Sequence, residues 1–126
     1  MTMPPDFYVV KLRLAREKGH PVGDLDHGYD LVVPLDDEGR ILPNQWKQHR
    51  ELCHVRRFKP QEADRHGLLA RRPGGSWYFD YDRSDDADDE GAYRFDTELF
   101  TAGEYVSIRE DDDLLHTFQI VSVEPA

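Results

Sequence analysis

Apolar and polar residues alternate through much of this chain with a period of two, the repeat of a strand that buries one face. In residues 7–16, Tyr8, Val10, Leu12 and Leu14 share a face while Lys11 and Arg13 point the other way. Residues 18–24, with Gly19, Pro21 and Gly23, read as a loop. A second strand is predicted at 28–36, where Tyr29, Leu31, Val33 and Leu35 alternate with Asp30, Val32, Pro34 and Asp36. Pro34 has no N–H to give to a ladder, so it belongs at a sheet edge, at the end of its strand or at a bulge. Asp36-Asp37-Glu38-Gly39 then makes a turn.

The period changes once. From about Asn44 to Cys53 the spacing predicts a short helix, with Asn44 as its N-cap and Trp46, His49 and Cys53 on one face. Gln45, Lys47, Gln48 and Glu51 take the other face. A helix this short depends on packing, and Trp46 is its anchor. Extended signals return at 54–58, where Val55 faces opposite to Arg56. Residues 68–72 and 77–81 flank Pro73-Gly74-Gly75-Ser76, a hairpin in which Trp77, Phe79 and Tyr81 share one face. Residues 82–91 are predicted as an acidic, flexible loop, followed by short strands at 92–95 and 98–100. A second hairpin joins 104–109 to 115–123 across the acidic turn 110–113.

Six to eight short strands and one helix define a mainly β (β-rich α+β) fold. The expected form is a small antiparallel, partly closed β-barrel with one short helix near residues 44–53. The 126 residues suit a single domain, 1–126, with no internal repeat and no linker. Composition narrows the class further. At 38% hydrophobic, 33% charged and 11% aromatic the chain is polar, yet its rings can fill a small core, so full disorder is disfavoured. The best apolar stretch, residues 31–35, is strand-sized and predicts no membrane segment. Residues 1–7 have neither a basic start nor an apolar core, so export is not expected. The single Cys53 excludes an internal disulfide framework and points to a reducing cytoplasm.

Charge is polarised along the chain. The formal total is −10, yet residues 46–72 hold eight Lys/Arg against three Asp/Glu, while residues 80–113 hold fourteen acids against three bases. The plain reading is two solvated edges of opposite sign that attract each other. The functional one is a local basic face: Arg56, Arg57, Lys59, Arg65, Arg71 and Arg72, interleaved with Phe58 and followed by Trp77 and Tyr78. Guanidinium groups bind phosphate and rings stack bases, so this pattern also suits nucleotides or single-stranded RNA. The acidic total opposes polyanions, which makes nucleic acid the less favoured partner. Gly74 and Gly75 beside Arg71 and Arg72 offer backbone N–H groups to an anion as well.

Metal signals are weaker. The aspartate-rich stretch 80–91 supplies hard oxygens, but counted from Asp80 it misses both the glycine and the glutamate of a calcium loop. Counted from Asp86, the residues Asp88, Glu90 and Gly91 fit, while Thr97 stands where the glutamate belongs. His49, Cys53, His54 and His66 lack the paired spacing of a zinc site. Cys53 has no base placed beside it, so a thiol nucleophile is not expected.

Two resemblances attach to these segments. Gly103-Glu104-Tyr105-Val106-Ser107-Ile108 is similar to a strand of ferredoxin-reductase-type flavin barrels. The Arg-x-Tyr-Ser flavin motif of those barrels is missing; Arg94-Phe95-Asp96-Thr97 does not replace it, so no flavin residues follow. His27-Gly28-Tyr29-Asp30, Lys59-Pro60, Pro73-Gly74-Gly75-Ser76-Trp77 and Gly103–Ile108 together resemble a group of small uncharacterised bacterial proteins. That likeness spans most of the chain and implies one intact domain but no residue roles.

The sequence therefore points to a cytoplasmic, non-enzymatic binding or interaction module without cofactor or metal. Its expected ligand-binding residues are Arg56, Arg57, Lys59, Arg71, Arg72 and Gly74, and its expected partner is a protein or a small anionic ligand. One alternative is a small enzyme with His66 or His54 as general base beside an aspartate. Others are a nucleotide- or RNA-binding barrel and a homo-oligomer.

Overall fold

A computed structural model of the chain describes residues 4–17, 19, 21–81, 90–95 and 97–126. Eight strands run in chain order: β1 (Phe7–Leu14), β2 (Asp24–Pro34), β3 (His54–Phe58), β4 (Arg65–Arg71), β5 (Trp77–Tyr81), β6 (Glu90–Tyr93), β7 (Tyr105–Arg109) and β8 (Leu115–Pro125). Each pairs antiparallel with the next, and β8 returns to pair with β1, so the barrel is closed. Closure goes beyond the partial barrel expected from sequence, and its reason is simple. The chain's last strand is eleven residues long and finds the free edge of β1, leaving no open edge in this sheet. Pro34 ends β2, one of the positions open to it. Gly67 in β4 lies so close to β5 that a Cβ would collide with the Asp80 carbonyl, so a larger residue would push these strands apart.

The core is the barrel interior. Val10, Leu12, Tyr29, Leu31, Phe79, Phe118 and Ile120 are fully buried, and Trp77 is 3% exposed. Ring contacts run continuously through it, from Phe118 to Tyr29 (5.1 Å), to Phe79 (5.3 Å), to Phe95 (5.8 Å) and to Phe100 (5.0 Å). Fully burying each such side chain is worth about 1.5–3 kcal/mol.

Several boundaries differ from the sequence reading. The expected helix at 44–53 is two pieces: α1 (Pro43–Gln48) and a 3-10 turn at Arg50–Leu52, broken at His49 (φ −133°, ψ 42°). Leu42, not Asn44, is the N-cap, because Pro43 has its φ preset for the first helical position and no N–H to leave unsatisfied. Trp46 anchors the helix as expected: its indole N–H donates to the Leu69 carbonyl at 2.9 Å and its ring meets Trp77 edge-on at 4.9 Å. Residues 98–100 are not a strand. Glu90 and Gly91, read as the end of the acidic loop, open β6 instead, because Glu90 turns into the barrel and finds partners there. Residues 82–89 of that loop lie outside the described residues, and the calcium question lies there with them.

Candidate anion groove and a buried polar cluster

The six residues nominated from sequence fall in two places. Alternation along β3 sends Arg56 outward and Arg57 inward. Arg56 is already engaged, with Nη2 2.8 Å from Asp30 and Nη1 2.9 Å from Asp64, over the Phe58 ring. Arg57 is 2% exposed and sits among acids, its Nη2 3.3 Å from Asp111 and its Nε 3.6 Å from Glu90. Lys59 lies 3.4 Å from Asp111 and 3.7 Å from Glu110. These three basic residues are thus matched by carboxylates, several from the acidic segment 80–113.

Arg71, Arg72 and Gly74 are placed differently. They line a groove of about 530 Å³ together with Trp77, Arg94 and Arg109, and among the described residues no carboxylate lines it. Arg71 closes β4 and its Nε donates to the Gly75 carbonyl at 3.2 Å. Gly75 has φ +93°, which lets the hairpin fold back under that guanidinium. Arg72 lies over the Tyr78 ring at 4.1 Å and Arg71 over Trp77 at 5.1 Å. Arg109 stands opposite Gly91 in register, and Gly91 has no side chain to fill the floor. Its Nη1 donates to the Asp113 carbonyl at 3.0 Å. Arg94 holds a left-handed φ of +57°, unusual for a non-glycine residue. The Trp77 indole N–H is buried without a hydrogen-bond partner among the described residues.

Arg94 and Arg109 were missed because they sit inside the acidic segment, where counting charge hides them. The available signal was Arg109 alternating outward after Ile108.

The second constellation is inside the barrel, and the sequence reading missed it. Tyr81 Oη lies 2.6 Å from Glu90 Oε1, which lies 2.8 Å from Tyr29 Oη. Tyr29 Oη is 2.6 Å from Glu110 Oε2, which is 3.0 Å from His27 Nε2. The Asp111 amide donates to Glu90 Oε2 at 3.1 Å. Burial pushes the Glu90 carboxyl above its ordinary pKa, against the opposing hydrogen bond from Tyr81 and the charge of Arg57. Burial acts on Glu110 too, but hydrogen bonds from His27 and Tyr29 and the charges of His27 and Lys59 outweigh it and hold that carboxyl low. Burial also raises both phenols, with the nearby carboxylates adding to it. At the rim, His116 contacts Asp112 (2.8 Å) and Glu17 (3.1 Å); burial lowers its pKa, yet these acids raise it on balance.

The histidines of the enzymatic alternative, His54 and His66, share an external groove of about 460 Å³ with Asp30, Glu51 and Arg56. Asp30 is bound there by Arg56 and Arg13. The groove gathers these bases and acids, but among the described residues no hydrogen bond or ion pair orients either imidazole. Cys53 is buried and its thiol is pushed up to about 12, so it is a poor nucleophile at neutral pH. Among the described residues no group of three or more His, Cys, Asp or Glu is placed to hold a metal ion, and no helix is long and apolar enough to cross a membrane.

Comparison with known proteins gives no match to a family model, to a curated relative or to a solved structure.

Proposed function

We propose that this protein is a binding module for a small anionic ligand bearing two or more negative groups, held in the groove of Arg71, Arg72, Arg94 and Arg109. One observation carries the reading: in a chain of net charge −10, four arginines converge on one groove whose described lining includes no carboxylate. A guanidinium has five N–H donors, more than a single local contact uses. Such donors suit phosphate or carboxylate oxygens, with which arginine makes short charge-assisted bonds. The backbone at Gly74 and Gly75 lets a ligand approach closely. A base-stacking nucleic acid fits less well, since Trp77 is buried and Tyr78 lies beneath Arg72. The free, buried thiol of Cys53 is compatible with a reducing compartment such as the cytoplasm.

Calorimetric titration of pyrophosphate at two or three salt concentrations tests this. Binding that weakens steadily with added salt supports it. No binding of pyrophosphate, or binding indifferent to salt, contradicts it.

A further inference from the structure

The interior chain Tyr81–Glu90–Tyr29–Glu110–His27 has four contacts in series, at 2.6, 2.8, 2.6 and 3.0 Å. Each needs one hydrogen between its two heavy atoms. With both carboxyls ionised, the described residues of this series offer three hydrogens to its four contacts: one from Tyr81, one from Tyr29 and one on His27 Nε2. Tyr29 has a single hydroxyl hydrogen, yet it lies within hydrogen-bond distance of both glutamates. One of its contacts would then set oxygen lone pairs against each other, in a buried site where such a mismatch is costly. A fourth hydrogen removes the conflict, and it can only sit on a carboxyl.

The surroundings choose which one. Glu110 faces His27 from β2, Lys59 from just beyond β3 and His116 from β8, the last two at 3.7 Å from Oε1. Among the described residues Glu90 has one cation close by, Arg57 from β3, whose Nε stands 3.6 Å away and donates no hydrogen bond. Its other polar neighbours are Tyr81 on β5, Tyr29 on β2 and Glu110 and Asp111 after β7. Arg57 is shared in turn with Asp111 and, at 3.7 Å, Glu62. Glu110 therefore holds the negative charge more comfortably.

We propose that Glu90 is a neutral carboxylic acid in the folded protein, and that its resident proton latches β6 to β2 and to the turn between β7 and β8. Glu90 Oε1–H donates to Tyr29 Oη, Tyr29 donates to Glu110 Oε2, and Tyr81 donates to Glu90. Removing the proton places two carboxylates on one phenol and loosens this end of the barrel. The latch is thus a pH-sensitive device, closed while Glu90 is protonated and released as pH rises through its elevated pKa.

The test is the pH profile of the melting temperature for the wild type, Glu90→Gln and Glu110→Gln. A glutamine amide with its nitrogen in the place of Oε1 donates one N–H to Tyr29, as the acid does, and its second N–H to Tyr81, which then accepts instead of donating. Glu90→Gln is therefore expected to melt close to the wild-type temperature near neutral pH and to lose part of the wild-type decline as pH rises, whereas Glu110→Gln melts well below both. Glu90→Gln melting as low as Glu110→Gln, with an unchanged decline as pH rises, overturns the proposal. Should Glu90→Gln fail to fold, the carboxyl carbon of Glu90 in isotope-labelled wild type decides by NMR. A resonance that stays in the protonated position at neutral pH supports the latch, and one that titrates in the ordinary acid range refutes it.

Discussion

Arg57 and Arg72 lie fifteen residues apart on the same side of the chain's charge polarity, and the fold gives them opposite surroundings. Arg57 is 2% exposed, with carboxylates of Asp111, Glu62 and Glu90 within 4 Å. Arg72 rests on the face of Tyr78 in a groove whose described lining holds three more arginines and no acid. Inside the barrel, positive charge neutralises acids of the same chain. The groove gathers four arginines, of which Arg109 also lies 3.8 Å from the exposed Asp113 carboxylate, and a cluster of guanidinium groups beside water is what an anionic ligand can use. The difference follows from burial: a charge held away from water must be matched, as Arg57 is, whereas Arg71 and Arg72 beside water are under no such constraint.

The sharpest way to break this contrast is to empty the interior of one partner. Glu110→Ala removes the acceptor of Tyr29 and His27 and strips Lys59 of one of its two carboxylates, so unfolding free energy should fall by about 3–5 kcal/mol in urea denaturation. A loss below about 1 kcal/mol would mean that the cluster is no better matched than a surface ion pair. The groove should respond in the opposite sense. Replacing Arg71 and Arg72 together by glutamine should weaken pyrophosphate binding roughly 10- to 100-fold by calorimetry, from the loss of charge-assisted hydrogen bonds. Stability should change by no more than about 1 kcal/mol, the scale of an exposed cation–π interaction. If instead affinity holds and the barrel melts early, the two regions have been assigned the wrong way round.

Much of the barrel was legible because strand alternation is a direct consequence of pleat geometry. The inward set Trp77, Phe79 and Tyr81 and the hairpin around Gly74 follow from it without tertiary information. The site was only half legible. Of the candidate residues, Arg71, Arg72 and Gly74 line the groove, whereas Arg56, Arg57 and Lys59 are drawn away by Asp30, Asp64, Glu110 and Asp111. Composition treats a basic run as one surface, whereas a strand splits it between two faces. The interior cluster left a trace that was passed over. Val106 and Ile108 lead to Glu110 at the same period, Ala92 to Glu90, Val55 to Arg57 and Tyr29 to His27. Charged residues continuing an inward series at strand ends signal a polar interior. The split of the helix at His49 left no such trace, since it depends on packing against β4 and β5.

Acid and base should act on the interior from opposite directions. Glu110, Asp111 and Asp112 hold their carboxyls low despite burial, through His27, Arg57 and backbone or His116 hydrogen bonds respectively. Their stabilisation is present above the ordinary carboxylate range and is lost as pH falls through the lowered folded values. His116 is raised, so its contribution is present below its ordinary value and disappears as pH climbs through the elevated one. A thermal melt series across pH should therefore show an acid limb that Glu110→Gln shortens and a near-neutral component that His116→Gln removes. Anion affinity in the groove should follow neither limb closely.

The smallest expected effects are at the hairpin tip. Gly75→Ala should cost about 1 kcal/mol, because φ +93° strains any side chain, while Gly74→Ala should stay within about 0.5 kcal/mol, since a Cβ there meets nothing within 4 Å. Equal effects at both positions, read from melting curves, would show that the turn adopts another shape in solution.

The most direct test is an NMR titration of pyrophosphate that follows the arginine side-chain Nε–H resonances. Saturable shifts at Arg71, Arg72, Arg94 and Arg109, with Arg56, Arg57 and Arg65 unmoved, are predicted. Shifts confined to the latter three, or none at any arginine, would contradict this division of charge between interior and groove.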